Sequence, residues 1–173
     1  VEDTVTGDIE YVAQWEANDT SYKVEYYYQK DDGSYASEAD KEDATRSAKT
    51  AATVSITDAD KIPETVAGKR YVLDNGEGYT DEWTKECAGD GSTVLKVYFK
   101  QQYTVTYKEG EHGDFEDNVH EGNDYGVSTP EYDGETGESG APKGEEGYTF
   151  TGWSPEVEDT VTGDIEYVAQ WEA

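Results

Sequence analysis

The first seventeen residues of the chain, VEDTVTGDIEYVAQWEA, return letter for letter as its last seventeen. Val1–Ala17 is repeated as Val157–Ala173, an offset of 157 − 1 = 156 residues. An identical run of that length marks an internal repeat, and its period is far longer than a single supersecondary unit. The expectation is a stretch of a longer tandem array, entered slightly out of phase, whose unit is about 156 residues. The absence of methionine, even at position 1, fits a piece that starts inside a longer chain. Arrays of near-identical units generally reach, display or bind, and seldom catalyse.

Charge narrows the partners. The net charge of −28 is unevenly placed: residues 102–173 hold nineteen acidic and two basic side chains, residues 18–101 seventeen acidic and eleven basic. Nucleic acid is excluded as an expected partner, because phosphate binding releases counterions only when Lys and Arg replace them. The same sign argues against docking on an anionic membrane, and no apolar run reaches the roughly 20 residues of a spanning helix. Mutual repulsion between neighbouring acidic units instead favours solubility and an extended array. The single cysteine, Cys87, cannot form an intrachain disulfide. Few aliphatic residues but 15 tyrosines, four tryptophans and three phenylalanines suit small cores built from large rings, each burying roughly 150–250 Å².

Period-two alternation is the main structural signal. Tyr22, Val24, Tyr26 and Tyr28 alternate with Lys23, Glu25, Tyr27 and Gln29, and Gly33 follows as a turn. Residues 36–50 are small, charged and aperiodic and read as a mobile loop, with Ser37 able to cap a short helix. Short strands are expected at Val54–Thr57 and Tyr71–Leu73, and one helical turn in DADKIPE before Pro63. STVLKVYFK places Leu95, Val97 and Phe99 on one face. Tyr103, Val105 and Tyr107 then open a second unit, with KQQ at 100–102 as a short linker. From Gly110 to Gly147 the chain reads mostly as loop, with edge pairing around Tyr125–Thr129. GYTFTGW and Ile165–Glu172 are the closing strands, the latter expected in an edge slot. Three segments result: 1–17, the closing strand of a preceding copy; 18–101; and 102–173.

At YTVTY, GYTFTGWSPEV and TVTGDIEYVAQW, residues 103–173 resemble the Listeria–Bacteroides type repeat, the internalin B-repeat family, with three separated segments in the family's order. The acidic, glycine-rich stretch between Gly110 and Glu146 departs from that pattern by its length and charge. Residues 19–101 are similar to the mucin-binding-protein-like repeats of Gram-positive surface proteins, through YKVEYYYQKDDGSY, VSITDADK and AGDGSTVLKVYFK. Both resemblances imply β-rich α+β modules of the ubiquitin-like β-grasp kind, mostly strand with little helix. They also imply an extracellular, cell-wall-attached bacterial adhesin, and bring no catalytic residues.

Residue chemistry points the same way. Cys87 with His112 or His120 is a thiol nucleophile and base combination in principle, and these fall in different expected modules. A glycosidase pair of carboxylates needs a cleft and an apolar wall to raise one pKa, which modules of this size seldom provide. No catalytic residue, resident cofactor or metal is therefore expected. The one reservation is calcium, because DADK, DNGEGYTDE, AGDGST and HGDFEDN crowd oxygen ligands near glycine. None has EF-hand spacing, and turn chemistry explains the same residues. Tyr27, alternating to the outside of its strand, and Trp83 are the candidate ligand-contact aromatics.

The expected function is a non-catalytic stalk or spacer that holds a distal binding domain away from the cell wall. The alternative is a multivalent module that binds a host glycoprotein such as mucin, or a glycan. Adjacent repeat copies are the other expected partners. Residues 1–17 and 157–173 are chemically identical claimants for one strand slot, and the local copy has the higher effective concentration. The chain is then a monomer, or is strand-swapped through residues 1–17.

Overall fold

The structure is a computed structural model that describes residues 4, 7, 8 and 10–173. The other residues of the expected preceding-copy strand, 1–3, 5, 6 and 9, lie outside the described residues. Among the described residues, nine strands run in chain order: β1 (Asp19–Tyr28), β2 (Lys41–Lys49), β3 (Thr53–Ser55), β4 (Arg70–Leu73), β5 (Thr84–Glu86), β6 (Val94–Lys108), β7 (Asn118–Asp124), β8 (Thr149–Ser154) and β9 (Ile165–Glu172). The only helical element among the described residues is a 3-10 turn at Ala59–Lys61, where one turn was expected. Strand-rich and nearly helix-free, the chain fits the β-rich class.

The strand order follows from β6, which is 15 residues long and alternates without a break. Leu95, Val97, Phe99, Gln101, Tyr103, Val105 and Tyr107 are all buried on one face, and the even-numbered residues are half-exposed on the other. β6 therefore joins the two clearest strand patterns of the sequence into one element, and the expected linker at 100–102 lies within it. Linker and strand differ here for a simple reason. The spacing from Phe99 to Tyr103 is even, so an extended chain keeps both apolar sets on one side of the sheet.

Seven strands form one mixed sheet around β6. β1 runs parallel to its front half from Lys23↔Val94 to Tyr28↔Phe99, and β4 lies antiparallel on the other flank from Leu73↔Phe99 to Arg70↔Gln102. Along the rear half β7 pairs antiparallel, starting at Asp124↔Gln102, and β9 pairs parallel from Val105↔Ile165 to Lys108↔Val168. Gln102 pairs with both Arg70 and Asp124, so β4 and β7 lie on opposite flanks of β6. The order is β2-β1-β6-β4 across the front and β7-β6-β9-β8 across the rear. Each reads second-first-last-third in chain order, with the first and last strands parallel.

Both cores lie on the same face. In front, Val24, Tyr26, Leu95, Val97 and Phe99 are covered by Val54, Ile56 and Cys87 of the small β3–β5 sheet and its flanks, with Trp83 packed alongside. Behind, Tyr103, Val105, Tyr107 and Tyr167 meet Val161, with Tyr125, Tyr132 and Trp153 around them. Tyr107 is the hub, within 4.7 Å of the Trp153 ring centre and 5.3 Å of that of Tyr167. Such ring pairs add about 0.5–1.5 kcal/mol each beyond area burial.

Several sequence expectations need correction. The loop expected at 36–50 contains β2, a nine-residue edge strand on β1. Its inward side chains are Arg46 and Ala48, so no apolar alternation announces it. Arg46 instead forks onto Asp60, which is buried at 4% exposure and also accepts from the Tyr26 hydroxyl at 2.7 Å and the Thr57 amide at 2.6 Å. β7 is made from NVHEGND within the expected acidic loop, whereas the pairing expected near Tyr125–Thr129 does form, as a bridge at Ser128↔Thr160 with three backbone hydrogen bonds between residues 126–129 and 159–161. β9 does not sit at an edge: β6 flanks it on one side and β8 on the other.

Candidate functional site

Among the described residues, the nucleophile and base candidates are not brought together. Cys87 is buried in the front core, its Sγ 3.8 Å from the Thr20 carbonyl, while the histidines belong to the rear half. His112 stacks on Tyr148 and contacts Glu145 at 3.2 Å, and His120 contacts Asn118 at 2.8 Å. Among the described residues, no group of three or more His, Cys, Asp or Glu side chains is arranged to hold a metal ion. The acidic motifs are used within the fold. Asp60 of DADK binds Arg46, and Asp74 accepts from the Tyr35 hydroxyl at 2.7 Å. Asp90 accepts from the Ser92 amide at 3.0 Å, and Asp114 pairs with Lys143 at 2.7 Å.

The two aromatic candidates lie apart, on opposite faces of the front sheet. Tyr27 does point away from the core, as alternation dictates, yet it is only 5% exposed. The sheet's second face is covered too: Tyr27 stacks on Tyr98 at 4.8 Å, and Tyr35 and Tyr79 pack on Tyr98 at 5.1 and 5.0 Å. Burial and a hydrogen bond to Glu25 push the Tyr27 hydroxyl well above its ordinary range. Trp83 is half-buried against the front core, with Lys61 Nζ 5.4 Å from its ring centre. Sequence reasoning missed this tyrosine layer because Tyr35 and Tyr79 come from loops with no periodicity.

The feature built with most care is the seam where the two halves share β6. Each flank of a continuous strand must change partner there, which leaves backbone groups between two ladders. On one flank β1 ends opposite Phe99 and β7 begins opposite Gln102. The Gln101 amide, left between them, donates to Gln29 Oε1 at 3.1 Å. On the other flank β4 ends opposite Gln102 and β9 begins opposite Val105. There the Thr104 amide donates to Asp164 Oδ1 at 2.7 Å. Two side chains thus complete ladders that main chain cannot, one at the part-buried Gln101 amide and one at the exposed Thr104 amide.

Ionic and steric contacts cross the same seam. On the front side of the seam, Lys69 Nζ reaches Asp31 at 2.5 Å and Gln101 Oε1 at 3.3 Å, and Gln101 is 6% exposed between the cores. Lys100 pairs with Asp124 at 2.5 Å, and Arg70 approaches Glu121 at 3.7 Å. The Lys30–Ser34 turn of the front half lies so close to Tyr125 of the rear half that a Cβ on Gly33 would overlap its ring. Gly33 also has φ +78°, so glycine answers both demands.

The two copies of the repeated sequence have different environments. In β9, Ala169 is 2% exposed and Trp171 Nε1 donates to the Glu109 carbonyl at 2.7 Å, with its ring 5.6 Å from that of Phe150. In the first copy, residues 10–17 belong to no strand, Ala13 is exposed and Trp15 is 92% exposed. The local copy fills the slot, as effective concentration predicts.

No protein-family model matches the chain, and no curated protein or solved structure matches it either.

Proposed function

We propose that the chain is a stalk unit of an exported, wall-associated bacterial surface protein, built from two tandem ubiquitin-like β-grasp modules and without catalytic activity. The observation that carries this reading is the shared strand. Two modules joined by a flexible tether fluctuate independently, whereas two that share β6 bend only by bending a hydrogen-bonded sheet. Matching strand orders on either side of the seam support the two-module description, with a β3–β5 sheet over the front core and loops over the rear one. The letter-for-letter repeat supports serial copies, and the charge of −28 favours their extension.

Reach follows from geometry. At about 3.3 Å per residue, a 15-residue strand spans about 50 Å, and two compact modules of eighty residues in line span about 60 Å. The rival function is capture of a glycoprotein or glycan through Tyr27 and Trp83. It would require Tyr27 to leave its stack on Tyr98 before a sugar could lie on the ring.

Small-angle X-ray scattering on proteins of one, two and four repeats tests the stalk. A maximum dimension that grows by about 50–60 Å per repeat supports it. A dimension that saturates would show collapse and remove reach as the function.

A further inference from the structure

The chain contains, at residues 9–28, the sequence with which one repeat passes into the next: the β9 copy Ile9–Glu16, then Ala17 and Asn18, then β1. We infer that this junction folds as a second shared strand, in which β9 of one repeat runs unbroken into β1 of the next. The partner that residues 10–16 fit is therefore the rear half of a preceding copy of this chain. This inference rests on the tandem-array reading.

Three observations carry it. First, β6 shows that the fold accepts such a fusion, since there the last strand of the front half is the first strand of the rear half. Second, the ladders nearly meet. The β8–β9 ladder extends to Glu172, the counterpart of Glu16, and the β1–β2 ladder continues to Asn18, whose carbonyl accepts from the Thr50 amide at 2.9 Å. Only Ala17 separates them, whereas β6 spans two such residues on each flank, 100–101 and 103–104. Third, the side chains left exposed in the first copy are those that β9 uses. Trp15 corresponds to the anchored Trp171 and Ala13 to the buried Ala169.

The junction differs from β6 in one respect that alternation fixes. In β6 both cores are served by odd-numbered residues. Across the junction, the β9 counterparts that face the core are Tyr11 and Ala13, and the β1 residues are Val24 and Tyr26. The change from odd to even places the cores of successive repeats on opposite faces of one ribbon. Within a repeat the two cores share a face; from one repeat to the next they alternate.

The test uses a chain of two repeats, residues 1–173 followed by a second 18–173, with nitroxide labels at Glu131 of the first repeat and Ser55 of the second. Both positions are exposed and sit on the core side of their own halves, and buried Cys87 is replaced by alanine. Circular dichroism and the Glu131–Ser55 distance within one repeat check that each variant folds. Double electron–electron resonance should give one narrow distance. Inserting one alanine after Ala173 should keep it narrow but shorten it, by bringing both labels to one face, and inserting two should restore the original face. A broad distribution, or one indifferent to the insertions, overturns the shared strand. Scattering separates the two readings: length that still grows with repeat number leaves the stalk standing on flexible joints, and length that does not removes the stalk itself.

Discussion

Gln29, one residue beyond the end of β1, offers its Oε1 to the Gln101 amide at 3.1 Å and so occupies the place of a missing strand residue beside β6. The same side chain donates from Nε2 to the Gly33 carbonyl at 3.0 Å, which ties the turn that packs against Tyr125. Asp164 does the equivalent for Thr104 on the other flank. The seam is therefore closed by two side chains about 135 residues apart in sequence that never touch, each positioned by a different half.

This arrangement predicts cooperative unfolding. The intact chain should lose both halves in one transition, because neither can release its part of β6 without exposing the ladder of the other. Gln29→Ala leaves the buried Gln101 amide unsatisfied and should cost about 1–3 kcal/mol. Asp164→Ala acts at a more exposed site and should cost about 1 kcal/mol. In the double variant, urea unfolding followed by tryptophan fluorescence and by circular dichroism should give curves that no longer coincide. Coincident curves in the double variant would mean that β6 alone couples the halves.

The Asp60 network gives the front half an acid limit. Burial raises the Asp60 pKa, but bonds from Arg46, Thr57 and Tyr26 outweigh it and hold the carboxyl well below its ordinary 3.8. A depressed folded-state pKa contributes stability that is complete above the unfolded value and is lost as pH falls through the folded one. Stability measured by denaturant should accordingly be insensitive to Asp60 titration near neutrality and fall below about pH 4. Asp60→Ala leaves Arg46 with Asp43 alone and takes the acceptor from the Tyr26 hydroxyl and the Thr57 amide, and should cost about 3 kcal/mol at pH 7. It should also flatten the acid limb, and a variant that keeps the wild-type limb would refute the assignment.

Glycine 33 separates backbone strain from close approach. Gly33→Ala incurs a positive φ and an overlap with Tyr125, whereas Gly126→Ala, at the same φ of +78°, meets nothing within 4 Å. The second should cost about 1–2 kcal/mol from backbone conformation alone, and the first measurably more. Thermal unfolding of both variants, alone and with Tyr125→Ala, isolates the contact. Removal of the ring should bring Gly33→Ala close to Gly126→Ala.

How much of this was legible in the sequence depends on what each strand faces. β6 and β9 declare themselves because Leu95, Val97 and Phe99, or Tyr167 and Ala169, meet an apolar core at every second residue. β2 is silent because its inward Arg46 is satisfied by Asp60, 14 residues away, and no local pattern encodes that bond. β7 is silent because NVHEGND bonds mainly through its backbone and carries His120 and Asn123 at half-buried positions. Tyr27 was placed on the correct face, but its exposure depended on Tyr98, Tyr35 and Tyr79, which tertiary structure alone assembles. The seam reads as a linker in the sequence because QQ at 101–102 carries no apolar signal. Its meaning lies in Gln29 and Asp164, distant residues of ordinary appearance.

The duplicated sequence allows the strongest internal control, because the same substitution can be made in identical local sequence and different surroundings. Ala169→Asp places a carboxylate where exposure is 2%, between β6 and β8. Burial of the charge should destabilise the rear half by more than about 3 kcal/mol. Ala13→Asp adds the same charge to the same neighbours outside any strand, and should stay within about 0.5 kcal/mol. Acrylamide should likewise quench Trp15 more readily than Trp171, whose Nε1 is held by Glu109; variants with each tryptophan replaced by phenylalanine resolve the two signals. Equal effects at Ala13 and Ala169 would mean that the copies exchange within the slot. A large asymmetry establishes that position in the chain, and not sequence, decides which copy is the strand.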